Sequence, residues 1–72
     1  MTRRADPVRL YEAQRAGMIR RLVEAFGYTD QRAEVLVRGW EREAERCGVR
    51  PLEAGYWTTG ETWMLEQRGR PT

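Results

Sequence analysis

Seventy-two residues can bury only about 60% of the surface that the unfolded chain exposes, so this chain makes one small domain with a modest core. A single cysteine, Cys47, excludes an internal disulfide, and the lack of histidine excludes a histidine-ligated metal site. The net charge of +2 falls short of the basic bias of a DNA-coating protein, and one free cysteine with no apolar leader predicts a reducing, cytoplasmic compartment.

The first helix is signalled by Asp6 as N-cap and Pro7 at the first helical position, where its missing N–H costs nothing. It is expected to span residues 7–26 and to end at Gly27 in a left-handed conformation. At helical spacing, Val8, Tyr11, Met18, Ile19, Leu22, Ala25 and Phe26 share one face, and Arg9, Ala13, Arg20 and Glu24 share the other. Gly17 lies near the polar face. Arg15 interrupts the apolar stripe, with Glu12 beside it, and is expected to pack against a carboxylate or an aromatic ring.

Gly27-Tyr28-Thr29 is a tight connection, with Thr29 as the cap of a second helix over 30–47 and Asp30 at its positive end. Ala33, Leu36, Val37, Trp40, Ala44 and Cys47 fall on one arc of about 100°, the width of a core-facing stripe. Gly48 ends this helix, and Val49 is placed for the following apolar contact. Two long amphipathic helices joined this closely predict an antiparallel hairpin.

Pro51 prevents continuation, and residues 51–57 read as a turn or one turn of helix. Thr58-Thr59-Gly60-Glu61 reads as a capping box that opens a short third helix over 59–67, with Trp63 and Met64 or Leu65 against the hairpin. A single bent helix over 51–68 is the alternative, because Leu52, Tyr56, Thr59 and Trp63 also repeat at helical spacing. Residues 68–72 read as a frayed tail. No alternating run or hairpin turn signals a strand, and no apolar run of about 18 residues signals a membrane span. The predicted fold is all-α: a three-helix bundle built on an antiparallel hairpin plus a short C-terminal helix.

The chemistry points away from catalysis. With neither serine nor histidine, the Ser–His and Cys–His pairs are unattainable, and Cys47 sits on the apolar stripe at a helix end where the dipole disfavours a thiolate. Glu41 and Glu45 share a flank with Arg38, Arg42 and Arg46 close by, which reads as surface ion pairing and not as a metal or acid–base site. No clustered glycines form a phosphate loop, and no cofactor or small-molecule ligand is indicated.

All 13 basic residues are arginine, with no lysine or asparagine, as in a high-GC genome of a bacterium, phage or mobile element. That pattern weakens any functional meaning of arginine abundance by itself. Three features remain. Arg15 breaks the core stripe. Tyr56, Trp57 and Trp63 crowd the C-terminal end, beyond what a small core that already holds Trp40 can bury. Arg38, Arg42 and Arg46 form an outward ridge with Val35 among them. The reading that these support is a non-catalytic, regulatory protein–protein interaction module, binding a partner protein or itself through Arg15, Trp57 and Trp63. The alternative is a helix-turn-helix DNA binder that reads the groove with Gln31, Arg32, Val35, Arg38 and Arg42 of the second helix.

Overall fold

Two polar caps and two left-handed glycines delimit the hairpin. In the computed structural model, which describes residues 6–67, the Asp6 carboxylate accepts the Val8 N–H at 3.0 Å and opens α1 (Pro7–Phe26). Gly27 closes it at φ 76°. Thr29 Oγ1 accepts the Arg32 N–H at 3.1 Å and opens α2 (Asp30–Cys47). Gly48 closes α2 at φ 79°, where the Val49 N–H reaches back to the Ala44 carbonyl at 2.8 Å. A glycine meets these positive φ values without the steric cost that a β-carbon brings. The third helix, α3, is Tyr56–Glu66, and the described residues contain no strand.

The helices pack as a three-helix bundle with α2 in contact with both others. Five of the nine buried core residues come from α2: Ala33, Leu36, Val37, Trp40 and Ala44. Met18 and Leu22 come from α1, and Tyr56 and Met64 from α3. Contacts from α3 to α1 advance together along both chains, from Tyr56 beside Tyr11, through Trp57 beside Gln14, to Glu61 paired with Arg21. Thus α3 runs in the direction of α1 and against α2.

The structure departs from the sequence expectations at the ends of elements. Val8 is 63% exposed, since the first turn of α1 lies beyond the core, and Ala25 is exposed although Val23 and Phe26 on either side of it pack against the core. Cys47 is also exposed: Trp40 and Ala44 fill the core, and the last turn of α2 runs past it. The third helix begins at Tyr56, three residues before the expected start, and no capping box forms. Thr58 lies inside the helix, where its carbonyl accepts the Thr62 hydroxyl at 3.3 Å, and Glu61 turns instead to Arg21. Gly55, at φ 85°, precedes α3 and provides no side-chain cap. A continuous bent helix over 51–68 does not form, since Leu52 at φ 70° and Gly55 both take left-handed backbone. The expected tail at 68–72 lies outside the described residues.

Tertiary packing explains the early start of α3. Tyr56 is 2% exposed, its ring 5.5 Å from that of Trp40 by centroids. Burying a large aromatic contributes about 1.5–3 kcal/mol, more than a cap supplies. Gly60 completes the contact: a β-carbon there would fall 2.6 Å from Trp40 Cδ1, so only glycine lets the indole lie against α3.

Candidate functional site

Polar side chains converge between the first half of α1 and the middle of α2. Tyr11 Oη donates to Glu41 Oε2 at 2.6 Å, and Arg15 Nε donates to the same oxygen at 3.1 Å. Arg15 Nη2 donates to Glu34 Oε1 at 2.9 Å, and Arg38 Nε sits 3.3 Å from that atom. Tyr56 Oη lies 3.3 Å from Tyr11 Oη, which ties α3 into the network. The Arg15 guanidinium holds the Glu34 carboxyl below the usual glutamate range, and that bond is also the main influence raising Arg15 itself. Burial, followed by the bond to Glu41, pushes the Tyr11 phenol far above its ordinary value. Neither direction favours acid–base work near neutrality.

Above this network lies an open cleft of about 610 Å³, lined by Tyr11, Glu41, Glu45, Gly48, Val49, Arg50, Pro51 and Tyr56. A second groove, about 430 Å³, lies where the end of α2 meets α3, and Trp40, Trp63, Cys47, Glu43 and three threonines line it. Val49 belongs to both linings, so the turn after α2 separates two recesses at one end of the bundle. Leu52, next to Pro51 in that turn, keeps 39% of its surface exposed while its backbone is left-handed. A β-carbon makes that conformation costly, by about 1–2 kcal/mol.

Of the three residues expected to form one interface, Arg15 and Trp57 both adjoin Tyr11, the first through Glu41 and the second by stacking, whereas Trp63 lies apart from them. Arg15 spends its guanidinium inside the fold, on Glu34 and Glu41. Trp57 faces α1: its Nε1 donates to Gln14 Oε1 at 3.0 Å, and its ring stacks on Tyr11 with centroids 5.5 Å apart. Trp63 faces α2, over Gly39 and beside Trp40. Six residues of helix separate the two indoles by about 120° around the axis, and both are half-buried.

Gln31, Arg32, Val35, Arg38 and Arg42 are all exposed on α2, away from its buried face. Arg38 pairs with Glu34, whereas Arg32 and Arg42 hold no ion pair among the described residues. The expected ion pairing of Glu41 and Glu45 with the ridge does not occur. Glu41 turns inward to Arg15, Arg46 pairs with Glu43 at 2.7 Å, and Glu45 has no cation partner among the described residues. Cys47 donates its thiol to Glu43 Oε2 at 3.4 Å.

Sequence reasoning missed Tyr11, Glu45, Val49 and Leu52 as site residues. The signal for the first two was present: counting outward equally from the Phe26–Asp30 connection sets Arg15 opposite Glu41 and Tyr11 opposite Glu45. No helix of the described residues is long and apolar enough to cross a membrane. Comparison with protein-family models, with curated proteins and with solved structures finds no match to this chain.

Proposed function

We propose that this chain is a non-catalytic protein-interaction module whose contact surface is the end of the bundle around the 48–55 turn. The observation that carries this reading is Leu52. An apolar side chain is presented to solvent by a backbone conformation that glycine would adopt at lower cost, and it stands beside a cleft of ligand-sized volume. Strain retained at an exposed position is characteristic of recognition sites.

The test joins stability to binding. Peptides are selected from a displayed random library against the folded chain, and their contacts are mapped by NMR. The reading requires binders that perturb Tyr11, Val49 and Leu52. Leu52→Gly is then expected to raise stability by about 1 kcal/mol while weakening those peptides. A selection that yields no binders, or binders mapped to another face, refutes the module reading at this end.

DNA binding through α2 is the second reading, favoured by Arg32 and Arg42, which stand on an exposed face with no ion pair among the described residues. Against it, α2 carries Asp30, Glu34, Glu41, Glu43 and Glu45 beside four arginines, so the helix is net acidic. Fluorescence anisotropy with labelled duplex at low and physiological salt separates the two. Steeply salt-sensitive binding that is lost in Arg32→Ala and Arg42→Ala would favour DNA. No binding at low salt would eliminate it.

A further inference from the structure

We infer that the cleft between α1, the end of α2 and the 48–55 turn takes an arginine side chain of a partner protein; this rests on the module reading above. The cleft combines what a guanidinium on an aliphatic stem needs. Val49, Pro51 and the half-buried ring of Tyr11 supply apolar and aromatic wall for methylene groups and for the planar head, with the buried Tyr56 behind them. Glu41 and Glu45 supply carboxylate from one face of α2, one helical turn apart.

Glu41 Oε2 already receives Tyr11 and Arg15, and Glu41 Oε1 receives neither. Glu45 has no side-chain partner among the described residues. A guanidinium carries five donors in a fixed plane and can address two carboxylates at once, which a compact ammonium does less well. Among the described residues, no cation pairs with Glu45. Arg15 does not line the cleft and is committed to Glu34 and Glu41, and Arg50 lines the cleft without forming an ion pair with Glu45. Arg50, an exposed cation in the same lining, opposes an incoming arginine by like charge.

The test is an NMR titration of the full chain with a short capped alanine peptide bearing one arginine, against peptides bearing citrulline or lysine in its place. Saturable shifts at Tyr11, Glu45 and Val49 are expected with arginine. Citrulline, which keeps the shape and loses the charge, should bind at least about tenfold more weakly, and Glu45→Gln should cost a similar factor. Arg50→Ala should bind as tightly or more tightly. Equal titrations by arginine and citrulline, or an unchanged affinity in Glu45→Gln, would overturn the inference, and lysine matching arginine would overturn the choice of a guanidinium. Concentration-dependent association of the chain itself, abolished by Glu45→Gln, would assign the occupant to a second copy and not to a partner protein. Library-selected peptides that occupy the cleft without arginine defeat this inference alone, whereas the absence of any cleft-directed peptide defeats the module reading as well.

Discussion

Gly17 and Gly60 are both helical glycines, and their surroundings give them opposite signs. A β-carbon at Gly17 would meet nothing within 4 Å, so the position carries the helix penalty of glycine with no packing return. Gly17→Ala is expected to stabilise by about 1 kcal/mol. At Gly60 the same change drives a methyl group into the Trp40 indole, and neither the buried ring nor the helix has room to give. Overpacking costs about 1–3 kcal/mol and should outweigh the propensity gain, leaving Gly60→Ala destabilised. Thermal denaturation checks both, since each kcal/mol moves the midpoint of a domain this size by about 4–8 °C. A rise at residue 60 or a fall at residue 17 would contradict the packing described here. Trp40 also has a buried Nε1 with no hydrogen-bond partner among the described residues, a cost that its packing against Gly60 has to offset.

The three helices differ in what holds them. α1 and α2 have side-chain caps, left-handed closing glycines and lengths of 20 and 18 residues. α3 has 11 residues and no side-chain cap, and a helix that short is marginal without tertiary support. Amide exchange is therefore expected to be slowest in the middle of α2 and faster throughout α3, fastest in its first turn. Protection in α3 equal to that in α2 would show that the bundle opens only as a unit. The same contrast explains what could be read from the residues. Asp6, Gly27, Thr29 and Gly48 are local signals, and they delimit the hairpin correctly because the chemistry that they report is local. The start of α3 is decided by Tyr56 reaching Trp40 and Tyr11, contacts separated by 16 and 45 residues in sequence, which no cap pattern encodes. Arg15 was recognisable as an anomaly from the stripe that it interrupts. Its partners, and the cleft above them, depend on the pairing of α1 with α2. Leu52 gave no signal at all, since nothing in a leucine announces a left-handed backbone.

At the scale of the whole molecule, ion pairs set the response to pH. Arg15 lowers the Glu34 carboxyl and Arg46 lowers that of Glu43, so both glutamates are more acidic folded than unfolded. A depressed carboxyl contributes stability that is present above the unfolded value, about 4.3, and is lost as pH falls through the folded one. The thermal midpoint should stay level from neutrality to about pH 5 and fall in more acid solution, less steeply for Arg15→Met, which lacks the pairing from the outset. For Tyr11 the sign reverses. Its phenol is raised, mainly by burial, so its contribution persists up to the ordinary value near 10 and declines above it. A Tyr11→Phe variant should lose less stability in alkali than the parent; equal alkaline losses would count against the buried phenol. The exposure of Cys47 has a practical side. As the chain's one thiol, standing at the mouth of the groove beside Trp63, it accepts a maleimide dye at a single defined place without mutagenesis. The label would sit across the Val49 ridge from the tyrosine-walled cleft, and quenching by the neighbouring indole would turn any occupant that shifts the ridge into an optical signal.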